Sequence, residues 1–371
     1  MTEPGLRVAQ GAILAFRIYD VAYAIDLARV EALGAARPAE SVGRLRFTRA
    51  EAKAITLPDP PVEIGLGPVS LRVAGTEIAA DAAARVYDFG AISITIRHSV
   101  ADLEWPGFVG RTVELARAAD DDAEGVWREL LDRVCAWIGP AFERPSASGL
   151  QEEYLISIVE RFEPRIAHER LLESEDVVRL LTGEQRELSD AARRDLLKYT
   201  FSYYRDDLVV LTWDQAFLIE PSSDRDVADV LEVATAQLLE LRYYDALLDR
   251  ELPRMYDRVQ ATHRRLPALA RGRYSRLAHE LHVQVAEVTE ITERIDNALK
   301  VTEDVYLARV YGAALELFRV PSWAAAVDRK LDIIRHTYTA LHDEANAARA
   351  ELLEIGILLL ILLEIVLAWL L

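Results

Sequence analysis

Leu352-Leu-Glu-Ile-Gly-Ile-Leu-Leu-Leu-Ile-Leu-Leu-Glu-Ile-Val-Leu-Ala-Trp-Leu-Leu371 sets the frame for the rest of the sequence. From Ile355 onward, 13 of its 17 residues are Leu, Ile or Val. A helix that is apolar all round is either buried or in lipid. As a helix the 17 residues span about 26 Å, against a hydrocarbon core of about 30 Å. The aliphatic side chains sum to about −6 kcal/mol of insertion free energy, and Glu364 costs about 2.5–3.5 kcal/mol. The stretch is therefore expected to be a transmembrane helix; a bundle-core helix is the alternative.

Upstream, Val327, Leu331, Ile334, Tyr338, Leu341, Ala345, Ala348, Leu352 and Ile355 recur at alternating spacings of four and three. That is a heptad seam, and it follows a break at Val320-Pro-Ser322. The 49 residues from Trp323 measure about 73 Å as one helix, which predicts a stalk that runs into the membrane segment and supports a homo-oligomer. Further back, Asp226–Leu252, Tyr274–Lys300 and Asp304–Phe318 also carry helical periodicity. Pro253 is expected to kink the first and Thr302 to cap the last. Together they predict an antiparallel helical bundle.

The first 220 residues alternate strand and helix signals. Ile92, Ile94 and Ile96 alternate with Ser93, Thr95 and Arg97, the pattern of a half-buried strand. Short aromatic and β-branched runs at Tyr199–Tyr204, Leu208–Thr212 and Gln215–Glu220 are parted by acidic turns. Two similar blocks predict an α+β fold of ferredoxin-like character, with duplication of the block as the further expectation. The expected domains are 1–139 and 150–222 for its two halves, 224–351 for the bundle with its stalk, and 352–371 for the anchor.

The chain has 61 acidic and 43 basic residues, a net charge of −18, which disfavours contact with phosphate backbones except where basic charge is concentrated. Such a concentration exists. Arg254, Arg258, Arg264, Arg265, Arg271, Arg273 and Arg276 lie within 24 residues that hold one acid, Asp257. The cluster meets either the protein's own acidic surface, lipid head groups or RNA. A single cysteine, Cys135, and the lack of an export signal fit a reducing compartment, so residues before about 350 are expected to be cytoplasmic.

Nothing in the sequence points to catalysis. Asp120-Asp-Asp122 reads as helix capping. His279 and His282 lack the spacing and third ligand of a zinc site. Cys135 sits among Leu131, Val134, Trp137 and Ile138 as a small core residue. No glycine-rich phosphate loop or nucleophile elbow occurs, and no cofactor or metal is expected.

Tyr87-Asp-Phe89-Gly90-Ala-Ile, Leu331, Arg349, Leu353-Glu354 and the aliphatic run up to Glu364 resemble the "required for meiotic nuclear division" proteins, an uncharacterised membrane-protein family. Asp328 stands where that family has asparagine, and no tryptophan follows Gly90. The resemblance brings no catalytic residues. The residues are read as a scaffold or adaptor anchored by its tail in the cytoplasmic membrane, and the resemblance implies that it supports translation or envelope organisation, with a protein or ribosome partner. The competing reading is an enzyme with its site in the α+β part.

Overall fold

A computed structural model describes residues 5–35, 42–44, 60–73, 75–121, 125–145, 148–263, 283 and 304–370. The chain divides into two compact units, Met1–Glu240 with Asn297–Pro321 and Leu241–Asp296 with Ser322–Leu371.

The first unit is built on one mixed sheet of nine strands, in the order β3-β4-β5-β6-β1-β8-β11-β10-β9. The strands before the first long helices are β1 (Arg7–Asp20), β2 (Ala22–Ile25), β3 (Val42–Arg44), β4 (Val62–Val73), β5 (Thr76–Val86) and β6 (Ala91–Glu104); α1 (Leu27–Ala35) lies between β2 and β3. Helices α2 (Trp105–Asp121) and α3 (Val126–Ile138) precede β7 (Phe142–Pro145) and β8 (Gln151–Glu163). Three short helices follow, α4 (His168–Leu172), α5 (Glu175–Thr182) and α6 (Asp190–Leu196), then β9 (Thr200–Phe201), β10 (Leu208–Leu211) and β11 (Gln215–Ile219). A separate two-stranded sheet pairs β2 with β7.

The central strand is β1, antiparallel to β6 on one side and to β8 on the other, while β11 pairs with β8 in parallel. Most of its central residues are apolar and buried on both faces, as in a strand covered twice, with the buried Arg17 paired to Glu153. Ile13 packs with Trp105, Phe108 and Leu180 of α2 and α5, and Tyr19 with Trp127, Leu131 and Val134 of α3. The alternate residues Ala12, Leu14, Phe16 and Ile18 are buried on the opposite face. There β5 meets α7 (Asp226–His263) through Arg85, and β8 meets the residue ending α8 (Val305–Leu317), Phe318, which packs edge-on against Tyr154 at 5.4 Å. Tyr311 of α8 donates a hydrogen bond to Gln237 of α7 at 2.8 Å.

The duplicated ferredoxin-like expectation is corrected by this topology. The segments read as two halves contribute neighbouring strands to a single sheet, because β1 pairs with both blocks at once. One local expectation also changes: α8 is capped not by Thr302 but by Asp304, which accepts from the backbone N–H groups of Tyr306 and Leu307. Pro253 lies inside α7.

In the second unit α9 (Val320–Leu370) begins with Pro321 in its first turn, where a missing N–H costs nothing. Val327, Leu331 and Ile334 of the seam are buried. Lys330 beside them reaches Asp245 at 2.7 Å and Asp249 at 2.6 Å on α7, and Arg242 of α7 lies over the Trp323 ring. Tyr338 is half-buried. Leu341, Ala345, Ala348, Leu352 and Ile355 fall on the same helix, but their side chains lie outside the described residues, as do those of Arg349 and Leu353.

The tail-anchor expectation is corrected as well. Among the described residues no helix is long and apolar enough to cross a membrane. The apolar part of α9 begins after the exposed Glu354 and the helix ends at Leu370, with Glu364 exposed within it. The 16 residues from Ile355 to Leu370 give about 24 Å, short of a hydrocarbon core of about 30 Å. Transmembrane helix, tail anchor and single-pass placement in the cytoplasmic membrane are therefore unsupported.

Candidate functional site

The residues singled out in the sequence come together only in part. Arg254 is exposed and pairs with Glu251 one turn before it, at 2.6 Å. The Arg258 side chain, and Arg264, Arg265, Arg271, Arg273 and Arg276 entirely, lie outside the described residues, with His279 and His282. Asp120 and Asp121 end α2, and Gly125 occupies the N-cap of α3, so the acidic triplet does not cap that helix. Cys135 is half-buried, and burial, reinforced by Asp132, raises its thiol to about 11. The thiolate is the reactive form. Alkylation of native Cys135 by iodoacetamide at neutral pH is accordingly expected to run at least ~100-fold slower than in the urea-unfolded chain; equal rates would refute its buried, protonated state.

Tyr87, Phe89 and Gly90 form the turn between β5 and β6, and there they are joined to a buried charge cluster. Arg85 contacts Asp229 and Glu232 of α7 at 2.6 Å each and Glu63 of β4 at 3.2 Å. Tyr87 donates to Glu232 at 3.4 Å. Burial opposes the charge on Arg85, but Glu232, Asp229 and Glu63 more than offset it and hold its pKa well above the ordinary value. Burial raises the Glu232 carboxyl, against the pull of Arg85. With all five members paired and Arg85 and Glu232 closed to solvent, the cluster fastens α7 to the sheet and offers nothing to a ligand.

A recess in the same unit differs in kind. It has a volume of about 270 Å³ and is lined by Tyr203, Tyr204 and Tyr306 together with Asp206, Asp207, Glu220, Asp224, Asp226 and Asp304. The turn between β9 and β10 is shaped by Asp207, whose Oδ1 accepts from Ser202 Oγ at 3.1 Å and from the N–H groups of Tyr203 at 2.8 Å and Tyr204 at 2.9 Å. Asp207 is 7% exposed, and among the described residues its Oδ2 accepts no hydrogen bond. The loop after β11 supplies Glu220, which accepts from Ser222 N–H and Oγ–H, and Asp224, which accepts from Arg225 N–H at 2.7 Å. Asp304 arrives as the cap of α8, and Asp226 opens α7.

The three rings make a concave wall. Tyr203 and Tyr204 stand at 89° with centroids 4.8 Å apart, and Tyr306 lies 5.5 Å from Tyr203. Tyr203 and Tyr204 are 59% and 58% exposed. Burial raises the Glu220 carboxyl, and Asp224 and Asp207 add to the effect. Burial likewise raises the Tyr306 phenol, with Asp207, Glu220 and Asp304 behind it. Among the described residues no Lys, Arg or His lines the recess. Among the described residues no group of three or more His, Cys, Asp or Glu is arranged to hold a metal ion; the acids here are spread round a volume and do not converge on a point.

A larger cleft, about 750 Å³, lies over Ile13, Leu71, Ile96 and Trp127 on the α2/α3 side of the sheet. Its rim carries Arg72, Glu77, Glu114 and Arg117, two charges of each sign, and so selects for neither.

The family described as "Uncharacterized protein MJ0711, N-terminal domain" matches residues 10–225, which cover the sheet from β1 to β11. The chain belongs to this family. Over 193 residues it is 28% identical to the uncharacterized protein MJ0711 of Methanocaldococcus jannaschii, a match that takes in 52% of this chain and 58% of that protein's length. No solved structure matches. Tyr203, Tyr204, Asp206, Asp207, Glu220 and Asp224 fall within the family segment, while Asp226, Asp304 and Tyr306 lie beyond it.

In the sequence, Arg205-Asp206-Asp207 reads as a turn and Tyr199–Tyr204 as a strand. The available signal was the pairing of tyrosines with acids in adjoining turns. The third side of the recess, Asp304 and Tyr306, is about a hundred residues away and reaches it only through the packing of α8.

Proposed function

We propose that this protein is a binding module of adaptor type, not a catalyst, and that its sheet unit captures a positively charged organic group. The observation that carries the reading is the recess of three tyrosines and six carboxylates, in which no described lining residue is basic. Aromatic faces attract cations by their quadrupole, carboxylates by charge. A fixed concave wall with convergent polar groups is the usual form of a small-ligand site. By the resemblance of the Tyr87–Ile92 turn and of α9 to the "required for meiotic nuclear division" proteins, we further propose kinship with that group and a partner in translation or envelope organisation.

The test is calorimetric titration of the full chain with a panel of organic cations: alkylamines, polyamines and arginine- or lysine-rich peptides. At least one is expected to bind. Replacing both Tyr203 and Tyr204 by alanine should weaken that binding about 5–30-fold, since two exposed cation–π contacts are worth about 1–2 kcal/mol. No binding by any cation at about 1 mM, a level at which a free energy of about −4 kcal/mol would be seen, would overturn the reading; so would equal binding by the double variant.

A further inference from the structure

We infer that the apolar end of α9 joins copies of this chain, packing against the same segment of at least two others in a helical bundle. The inference concerns the second unit and does not rest on the cation-capture reading above.

Three observations carry it. The first is exposure. Leu359, Leu362, Val366 and Trp369 continue the stripe whose upstream members Val327, Leu331 and Ile334 are buried, yet they are between 47% and 91% exposed. Upstream, α9 has a companion: Arg242 lies over Trp323 and Asp249 holds Lys330, so α7 and α9 run side by side in the same direction. The described part of α7 stops at His263, 14 residues past Asp249 and level with about residue 344 of α9. About 26 residues of α9, roughly 39 Å, extend beyond that level.

The second is the placement of charge. On the heptad set by that stripe, Leu359 and Val366 take position a and Leu362 and Trp369 position d, flanked by Leu363 at e and by Leu358 and Ile365 at g, all of them exposed. The two carboxylates of the segment stand off this face. Glu364 is at f, about 170° from the middle of the seam, and Glu354 at c, about 130° from it. Packing along a, d, e and g buries the large apolar side chains and leaves both charges in water. A second copy fits such a seam because a and d knobs of one helix fill the holes between the same positions of another. The third is area. As a cylinder about 24 Å long and about 10–12 Å across, the segment has a flank of roughly 750–900 Å². Two copies, burying about three positions in seven, cover roughly 650–800 Å² in total, below the roughly 1,200–2,000 Å² of specific interfaces. Apolar residues at e and g widen the face to about four positions in seven, and three or four copies then bury roughly 1,300–2,000 Å².

The experiment is sedimentation of the full chain without detergent, beside two variants of equal composition: Leu359→Glu with Leu362→Glu on the seam, and Leu360→Glu with Leu367→Glu at the outer b positions. All four leucines are exposed in the single chain, so neither pair disturbs its fold, which the urea midpoint checks. The native chain is expected to sediment at three or four times the 41.6 kDa of one copy. The seam pair should fall to the monomer, its dissociation constant rising at least ~100-fold because every copy brings two carboxylates into the bundle. The outer pair should keep its assembly within about 5-fold of the native constant. A monomeric or dimeric native chain overturns the inference. Equal losses from the two pairs also overturn it, since apolarity in general and not the seam would then hold the copies. Recovery of the native chain as a monomer on phosphatidylcholine vesicles does so too, by assigning the segment to lipid.

Discussion

Replacing Arg85 by methionine is expected to destabilise the sheet unit by about 3–5 kcal/mol, a large part of the roughly 5–15 kcal/mol by which a folded protein exceeds its unfolded state. Arg85 and Glu232 are each 2% exposed and Asp229 is 5% exposed. The guanidinium is the cation to which Glu63, Asp229 and Glu232 are all bound. Methionine fills similar space but leaves carboxylates buried without a counter-charge. They must then either take up protons or draw water under α7. Lysine should recover only part of the loss, because a single ammonium cannot reproduce three contacts made by a planar fork. Adding Asp229→Asn and Glu232→Gln to the methionine variant should restore stability, because the damage lies in the unpaired acids; the denaturation midpoint measures this directly.

The pH dependence of that variant has a definite sign. Burial already raises the Glu232 carboxyl, and Arg85 is the main influence lowering it. With Arg85 gone the folded-state pKa rises further above the unfolded value. The folded form then binds more protons than the unfolded one through this window, so stability is retained below the ordinary glutamate pKa and lost as pH rises through the raised value. The deficit against wild type should be smaller at about pH 5 than at about pH 8. A deficit independent of pH would mean that lost packing, not unpaired charge, is the cause.

The second large effect is expected at Gly90. Its φ is +93°, and a Cβ built there would lie 1.8 Å from the carbonyl oxygen of Ala22. The same turn is pinned on both sides: Gly90 O accepts from Val21 N–H at 3.0 Å and Ala22 N–H at 3.2 Å, and Asp88 O accepts from Ile25 N–H at 2.8 Å. A Cβ at Gly90 therefore collides with a backbone that cannot move without giving up these bonds. Alanine at Gly90 should cost about 3–5 kcal/mol, from about 1–3 kcal/mol of backbone strain and about 1 kcal/mol for each of two lost hydrogen bonds. Gly67 is the control. It also has a positive φ, +82°, but no atom lies within 4 Å of its Cβ position, so alanine there should cost only the conformational part, about 1–2 kcal/mol. Equal losses at the two positions would show that the collision at Gly90 is relieved in the variant.

The sequence by itself determined what depends on neighbours along the chain. The alternation at Ile92, Ile94 and Ile96 lies in β6 and the period of 3.6 from Asp226 onward lies in α7, whereas the break expected at Val320-Pro-Ser322 falls in the first turn of α9 and the chain turns just before it, at Phe318-Arg319. Each is written within a dozen residues, because alternating burial along one element follows directly from backbone geometry. The aromatic-glycine run at Tyr87–Gly90 was visible as a motif, but its role was not: the steric demand on Gly90 comes from Ala22, in another part of the chain. The apolar end of α9 was visible too, and the anchor reading failed on length in apolar residues, which boundary charges such as Glu354 decide.

Tertiary structure alone decided the sheet and both charged sites. Whether two αβ blocks form separate sheets or share one depends on which edges pair, and β1 joins them by pairing one edge with β6 and the other with β8. The Arg85 cluster spans 147 residues from Arg85 to Glu232. In the recess Asp207, Glu220 and Asp304 converge on one volume from three elements. Charged residues at such distances leave no periodic trace, because a carboxylate on a solvated turn and one facing a binding recess are written with the same letter. What separates them is the burial imposed by other elements, and that exists only once the sheet has closed and α7 and α8 have docked on it.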